Sequence, residues 1–581
     1  MSRHYPLEPI EPDPTGPDAR PGESIGMRMA AATAQLLLDI GAWRRRHADL
    51  SQAIIGVTLL MFGLVLGGGA AITDSYLHRG VESGSEQPYV VQPAAKTLAT
   101  NVDIRPFVGS DPATITVPLA GAGFQIVRQE FSWNEIEQQR GDYTWETYDA
   151  IVTELARRGI TLIAVVTETP PWARPTGTSR YANAPPRDPG QLETFARTLL
   201  DRYGESLTFV QLWDDPNLAG QWGGEPATGE TYAPYLDAFW QGARAGSSSV
   251  RIISPELAPV SDGPEGETDL TFVESLYGVG AGRSFDILGM SLDGGVYSPD
   301  DRRVGETRLN MSRAILFREL MVSWNDSVTP IWATSYGWAA SESVSREEQA
   351  EFVSRGLSRS WSEWPWMGVM VQWAFIANDG SRLAPYAIVL LPDGLPTPLY
   401  HELTSSEMQA RSRVANTGFM PMDFAGIEYS SGWRDQHLEE RTFRTTQQVG
   451  ATITMQFQGT GLIAYVRSGP QVGRFTIELD GELVPGGGGE DGTEWNLALF
   501  GVTQDFPRTL VDGLDDATHT VTITLTSEGE LTLGGIVITR EAPFVWPIVL
   551  MAVASIISLF FGLWSIAHLF AVRSGHLRRK S

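Results

Sequence analysis

The residues best placed to do chemistry in this chain are acidic, and they follow short apolar runs. Phe209-Val-Gln-Leu-Trp213 leads straight into Asp214 and Asp215, the pattern of a buried parallel strand that delivers carboxylates to its carboxyl end. Glu130 and Glu168 close two earlier runs, Gln125–Glu130 and Thr161–Thr167, in the same way. Carboxylates gathered at one end of a sheet give and take protons or position a water. Composition removes the competing chemistries. With no cysteine in the 581 residues, disulfides, thiolate metal sites and cysteine nucleophiles are excluded. No histidine lies between His78 and His401, so neither a Ser-His-Asp triad nor a histidine-based zinc site can be assembled there. No metal or cofactor is expected. A net charge of −26 argues against nucleic acid, whose binding rests on Lys and Arg neutralising phosphates.

The elements that must position these acids alternate along the chain. Strands are expected at Gln125–Glu130, Thr161–Thr167, Thr208–Trp213, Arg251–Ser254, Ile287–Ser291, Pro330–Thr334 and Gly368–Ala374, with a first strand near Ile104–Val108. Between them helical periodicity fits Thr147–Arg158, Gln191–Tyr203, Tyr232–Ala245, Leu270–Tyr277, Arg308–Trp324 and Arg346–Trp361. That order predicts an α/β fold, a (β/α)8 TIM barrel over residues 101–405, with its chemistry at the carboxyl ends of the strands. An open doubly wound sheet is the rival, but no Gly-rich phosphate loop follows the early strands.

Several motifs in this region resemble, in order, those of the clan A retaining glycoside hydrolases of the xylosidase, cellulase and β-glucosidase kind. Phe124-Gln-Ile-Val-Arg128, Phe131-Ser-Trp133 and Ile136-Glu-Gln-Gln-Arg-Gly-Asp-Tyr-Thr-Trp145 are similar to the family's opening, and Thr169-Pro-Pro-Trp172 to its third-strand motif. Trp213-Asp-Asp-Pro-Asn217 stands where the family carries Trp-Asn-Glu-Pro-Asn. The resemblance implies that Asp215 holds the general acid/base position, Asp214 the neighbouring asparagine position, and Arg128 that of a structural cleft arginine. It also places the nucleophile on the seventh strand, where this chain reads Thr334-Ser-Tyr-Gly-Trp338. Ser335 therefore occupies the nucleophile position, and an unactivated hydroxyl does not readily replace a carboxylate. On the sixth strand Ser291-Leu-Asp293 stands near the family's His-x-Tyr pair.

Retaining hydrolysis needs two carboxyl groups about 5 Å apart, and both positions are altered. Asp is roughly 1.5 Å shorter than Glu, a misplacement that costs on the order of a hundredfold. Glu168 and Glu130 are the candidate substitutes, set against the plainer reading that they pair with arginines such as Arg128 or Arg174. Trp133, Trp172, Trp222, Trp338 and Trp373 fall at or just after strand ends, where flat rings stack on sugars. The expected function is a barrel that binds a polysaccharide or glycoconjugate without efficient cleavage. The alternatives are a working hydrolase of O-glycosyl bonds with a rearranged carboxylate pair, and a protein-binding scaffold whose partners the sequence does not name.

From Gly418 short alternating runs predict an antiparallel β-sandwich over residues 416–541, with strands at Ala451–Gln458, Gly461–Arg467, Arg474–Leu479, Leu497–Gly501, Thr518–Leu525 and Gly534–Thr539. Phe457–Gly461, Asp480-Gly481 and Gly513-Leu514 with His519–Ile523 resemble the galactose-binding-like jelly rolls attached to many bacterial carbohydrate enzymes. Gly486–Gly489 with Glu490 and Asp491 reads as a solvated loop rather than a calcium loop.

Two uncharged apolar runs flank these domains. Residues 51–73 and 544–572 are each long enough to cross a bilayer at 1.5 Å per residue. Arg44, Arg45 and Arg46 precede the first, and Arg573, Arg578, Arg579 and Lys580 follow the second. The positive-inside rule then puts the tails 1–50 and 573–581 in the cytoplasm, and the linker 74–100, barrel and sandwich outside, at the cell envelope. Met1–Pro21 lacks apolar periodicity and reads as disordered, and Met27–Trp43 as a short interfacial helix. A lead of about fifty residues favours an uncleaved anchor over a signal peptide. Gly63, Gly67, Gly68 and Gly69 either pair copies of the first span or pack it against the second.

Overall fold

Continuous apolar runs, bounded by turns and separated by amphipathic helices, become a parallel barrel in the computed structural model. It describes residues 32–40, 47–178, 180–260, 266–438, 441–489, 491–497, 504–541 and 545–578. The predicted tail Met1–Pro21, Arg44–Arg46, Glu490, most of the strand expected at Leu497–Gly501, and Arg579 with Lys580 lie outside the described residues.

The barrel strands are β1 (Leu98–Asn101), β2 (Ile126–Ser132), β3 (Thr161–Thr167), β4 (Phe209–Leu212), β5 (Arg251–Ile253), β6 (Leu288–Asp293), β7 (Ile331–Gly337) and β8 (Met367–Gln372). They pair in parallel in the order β5-β4-β3-β2-β1-β8-β7-β6. Ile253 bridges to Ile287 and the Ser254 amide donates to the Ile287 carbonyl at 2.9 Å, which joins β5 to β6 and closes the ring. Inside, Ile126, Ile163, Phe209, Ile253, Ile287, Trp332, Val369 and Val371 form a buried layer. The interior is therefore a packed core, as expected of an eight-stranded barrel.

One expected strand is misplaced. Arg105–Val108 is a short helix with Pro106 in its first turn, and the first strand is Leu98–Asn101. Proline has no N–H to give a ladder but is tolerated where a helix begins. The helix expected from Arg308 starts later, with a 3₁₀ turn at Met311–Arg313 running into Ala314–Ser323.

β7 carries a bulge that matters for the site. Ala333 pairs with Met290 and Ser335 with Ser291, so Thr334 has no partner across the ladder. Side chains alternate along a strand, so Trp332 and Ser335 would face opposite ways. The extra residue resets the alternation. Trp332 fills the inner layer, while Ser335 joins the barrel mouth.

The following segment forms two antiparallel sheets. One runs Arg434–Leu438, Arg441–Thr446, Leu531–Thr539, Gly461–Ser468 and Gln504–Val511, with Gly418–Met420 also paired to Leu531–Thr539; the other runs Ile427–Tyr429, Thr452–Gly459, Ala517–Leu525, Phe475–Leu479 and Glu482–Leu483. Alternate residues of both enter one core, including Ile453, Met455, Phe457, Leu462, Ile523 and Ile536. Pro421, Met422 and Thr442 of the sandwich share a cleft with Thr208, Arg251 and Pro330 at the starts of β4, β5 and β7. The sandwich thus lies at the amino-terminal end of the barrel, away from the carboxyl ends of its strands. Lys96, wholly buried, fastens the seam by donating to the carbonyls of Trp364 at 2.9 Å and Thr417 at 3.1 Å.

A separate unit holds the helix Ala48–His78 as far as Ser75 and the helix Trp546–Arg578, and Ala48–His78 and Trp546–Ala571 are long and apolar enough to cross a membrane. Gly56 packs against Ile566 and Gly562, Gly63 against Leu559, and Gly67 against Ser555, while Gly68 and Gly69 meet nothing within 4 Å. Ser555, Ser558 and Ser565 donate to the carbonyls of Gly63, Leu59 and Gln52. Numbers rise along one helix as they fall along the other, so the pair is antiparallel. The missing side chains let the backbones approach and the serines bridge them.

Candidate functional site at the barrel mouth

The acids that end β4 are held in an uncommon backbone. Trp213, Asp215 and, at the end of β3, Glu168 have φ of 64°, 48° and 58°, left-handed values that cost non-glycine residues energy. The strain is over-determined by pairing. Asp214 bridges to Glu256 beyond the regular end of the β4–β5 ladder, and the Asp215 amide donates to the Glu256 carbonyl at 2.9 Å. Strained, fixed backbone at a strand end is a common device for aiming a reactive side chain.

Arg128, projecting from β2, organises the mouth. Its Nε donates to Gln211 Oε1 at 3.1 Å and one terminal nitrogen to Asn101 Oδ1 at 2.9 Å. The other terminal nitrogen pairs with Asp214 and lies 3.7 Å from Glu256. Gln211 Nε2 donates onward to Asp214 Oδ1 at 2.8 Å. The guanidinium fork is thus used on three sides by β1, β4 and β5, a geometry that lysine does not reproduce.

Glu256 is the residue that sequence reasoning missed. It follows β5 in Ser254-Pro-Glu256, its side chain is 5% exposed, and its Oε2 accepts from Ser335 Oγ at 2.9 Å. The position expected to carry a carboxylate on β7 therefore has one within hydrogen-bonding distance, supplied from β5. The usable signal was a carboxylate just past the predicted strand Arg251–Ser254, the same rule that singled out Glu168.

Electrostatics set the protonation of the pair. Burial, then the charges of Glu256 and Asp214, push Asp215 up to about 8. Glu256 is pushed up to about 7, chiefly by burial, with Arg128 and the Ser335 hydroxyl opposing the rise. Burial also works against the charge on Arg128, but Asp214, Glu256 and Asp215 outweigh it and its pKa is raised. Near neutrality the centre holds a protonated acid beside a second carboxyl group close to ionisation, which is what paired acid and nucleophile or base chemistry requires.

The other predicted residues are spread around this centre. Glu130 accepts from Arg105 at 2.8 Å and from Thr167, and burial raises its pKa. Its arginine partner is Arg105, because Arg128 is taken up by Asp214. Glu168 accepts from Ser132 Oγ at 2.6 Å. Three of the tryptophans are core. Trp133 and Trp338 are fully buried, with Nε1 bonded to Glu137 and to the Tyr297 carbonyl, and Trp222 packs among Trp213, Tyr232 and Tyr235. They offer no face to a sugar. Trp172 and Trp373 keep partly open rings. Trp373, just after β8, stacks on Tyr386 at 4.6 Å, and the Tyr386 hydroxyl donates to Asp293 at 2.5 Å. Among the described residues, the buried side-chain amide of Gln372 and Nε1 of Trp373 have no hydrogen-bond partner. Nor do the described residues hold a cluster of His and carboxylates able to bind a metal.

No family model and no curated protein matches the sequence. Solved structures do. The chain is similar in structure to glycoside hydrolases. A family 39 glycoside hydrolase from the gut symbiont Bacteroides cellulosilyticus WH2 shares 15% identity, over 75% of this chain and 82% of its own, with a TM-score of 0.44. A family 30 subfamily 8 xylanase from Clostridium acetobutylicum shares 12%, over 76% of this chain and 98% of its own, with a TM-score of 0.39. GH5_18 from Streptomyces cattleya in complex with GlcNAc shares 16%, over 56% of this chain and 83% of its own, at 0.42. The barrel stands on its own strand pairing.

Proposed function

We propose that this chain is a membrane-anchored glycoside hydrolase of the cell envelope, whose barrel mouth binds a polysaccharide or glycoconjugate and hydrolyses an O-glycosyl bond with Asp215 as proton donor. The observation that carries the reading is the second buried carboxyl group beside Asp215. A mouth with a lone aspartate could bind sugar but not complete the reaction, whereas two acids with raised pKa values and an arginine near Glu256 have the composition that two-step glycosyl transfer to water needs. Trp373, half-buried and stacked on Tyr386, supplies an aromatic surface of the kind a sugar ring uses. Anchoring is supported by two long apolar helices packed antiparallel through glycines and serines. That pairing suits termini on one side of a bilayer, and the flanking arginines of the sequence favour the cytoplasmic side under the positive-inside rule.

The test uses the full chain in detergent or nanodiscs, with a panel of aryl glycosides and parallel binding to a glycan array. Turnover by the parent, lost in Asp215→Asn, supports the reading. Protease protection of tags at both ends, on right-side-out cells, checks the orientation.

A second reading, a barrel that holds a glycan without cleaving it, is favoured by the shorter Asp215 and by the 5% exposure of the Glu256 side chain. It predicts array binding with no turnover. A protein-binding scaffold predicts neither.

A further inference from the structure

We propose that Glu256 is the attacking carboxylate of this site, relocated from the seventh strand to the end of the fifth, and that Ser335 is a positioning residue that holds it at the vacated place. The inference rests on the reading of Asp215 as proton donor and goes beyond it by naming its partner.

The argument is spatial. A nucleophile at the end of β7 would project into the mouth from position 335, whose side chain the bulge at Thr334 turns inward. A serine there is too short to place a charge, and no histidine is available to activate it. Its hydroxyl instead donates to Glu256 Oε2 at 2.9 Å. The Glu256 side chain therefore spans from the end of β5, past β6, to the seventh strand, and its carboxylate ends one hydrogen bond from the atom it replaces. The backbone of Glu256 is tied to β4 by the bridge to Asp214 and by the Asp215 amide. Donor and attacking acid are thus carried by neighbouring strand ends, and the Glu256 carboxylate reaches across to the seventh strand. Charged groups carried by β2 and the end of β4 act on Glu256. Arg128 lies 3.7 Å away and favours the ionised form, while Asp214 and Asp215 oppose it from β4.

The chemistry balances. A Glu256 oxygen forms a bond to the anomeric carbon as the glycosidic carbon–oxygen bond breaks, and the Asp215 proton passes to the leaving oxygen. Water then attacks the same carbon and gives its proton to Asp215. The ester carbon–oxygen bond breaks, which restores the Glu256 carboxylate and protonated Asp215. The sugar leaves with its original anomeric configuration.

The experiment uses the full chain in detergent, the aryl glycoside it turns over best, and the corresponding 2-deoxy-2-fluoro glycoside with a good leaving group. Peptide mass spectrometry is expected to find the fluorosugar on the peptide containing Glu256, a readout that needs no variant. Glu256→Gln is expected to lose about a thousandfold in kcat or more, the scale of a missing nucleophile. Added azide should restore part of that loss and give a glycosyl azide. Ser335→Ala, which loses one hydrogen bond to a charged group, is expected to lower kcat by about tenfold to a hundredfold with little change in KM. It should also move the acidic limb of the pH profile upward, which a merely structural loss would not do. Sugar attached at another residue, product of inverted configuration, or turnover by a folded Glu256→Gln within about twofold of the parent overturns the assignment, while loss of turnover in Asp215→Asn keeps the donor reading standing. If the parent cleaves no glycoside, both fall.

Discussion

Ser335 Oγ and Glu256 Oε2 lie 2.9 Å apart, so a hydroxyl on the seventh strand is satisfied by a carboxylate from the fifth. Neither residue makes sense at this place without the other. A buried glutamate with no donor would be held protonated, and a buried serine with no acceptor would cost about 1–3 kcal/mol. Arg128 opposes the charges of Asp214, Asp215 and Glu256, and Arg382 acts on Asp215 as well. With more acid than base in one desolvated pocket, at least one carboxyl group keeps its proton near neutrality, and Asp215 is the one pushed furthest.

That arrangement dictates a narrow pH optimum. Cleavage requires Glu256 ionised and Asp215 protonated, and the two are pushed up to about 7 and about 8 respectively. Activity should rise as the pH climbs toward 7, peak between these values, and fall above 8. The limbs belong to the pair rather than to either residue. A kcat/KM profile from pH 4 to 10 checks this, and a broad plateau centred near pH 5 would contradict it.

The same shifts make the site a stability liability at high pH. Both folded-state pKa values lie above their ordinary carboxyl values, so the folded protein binds more protons than the unfolded chain between them. The stability this lends is fully present below the ordinary values and is lost as pH rises through about 7 and about 8. Asp215→Asn and Glu256→Gln keep the shape and remove the ionisation. Each should match the parent in Tm at pH 4 and exceed it at pH 9, by about 2 °C or more. Differential scanning fluorimetry of the detergent-solubilised chain at the two pH values measures the difference.

Much of the barrel was legible because strands buried on both faces read as unbroken apolar runs, and Thr161–Thr167 has the same ends in sequence and structure. β1 was not, since Leu-Ala-Thr-Asn is only four residues long and half polar, while the more apolar Ile104–Val108 is turned into a helix by Pro106. The site was half legible. The strand end at Asp214 and Asp215 declares its carboxylates, and Arg128 lies within the predicted run Gln125–Glu130. Glu256 was passed over because the resemblance drew attention to the seventh strand, although its placement after the fifth obeys the same rule. The bulge at Thr334 has no sequence signature, and nothing in the position of a tryptophan after a strand tells whether its indole nitrogen bonds inward, as those of Trp133 and Trp338 do.

Burial separates two kinds of tryptophan at the mouth, and substitutions should separate them too. Trp373 is half-buried and stacks on Tyr386, so Trp373→Ala should weaken glycan binding by about tenfold or more, the scale of a lost aromatic anchor, with a smaller change in Tm than Trp338→Ala. Trp338 is fully buried between Tyr336 and Phe352, so Trp338→Ala should cost about 3–5 kcal/mol of stability. Calorimetric titration beside thermal melts gives both readouts. Equal effects of the two changes on glycan affinity would mean that Trp373 is no platform.

Arg128 offers the sharpest test of how the charges depend on one another. Its side chain is 7% exposed and serves Asn101, Gln211 and Asp214 at once. Arg128→Met removes the arginine that touches Asp214 and Glu256 and leaves only the more remote Arg382 acting on Asp215, so the pKa values of Asp215 and Glu256 should climb further and hold Glu256 protonated at neutral pH. Activity at pH 7 should fall by on the order of a hundredfold, with the acidic limb displaced upward. Stability should drop by about 3–5 kcal/mol, as when one partner of a buried pair is removed. Arg128→Lys keeps the charge but loses the fork, so its pH profile should stay near the parent's while kcat falls. Adding Asp214→Asn to Arg128→Met removes an acid the arginine would have balanced, and should bring the limb partly back. A double variant whose limb stays where Arg128→Met left it would mean that Arg128 acts through shape alone.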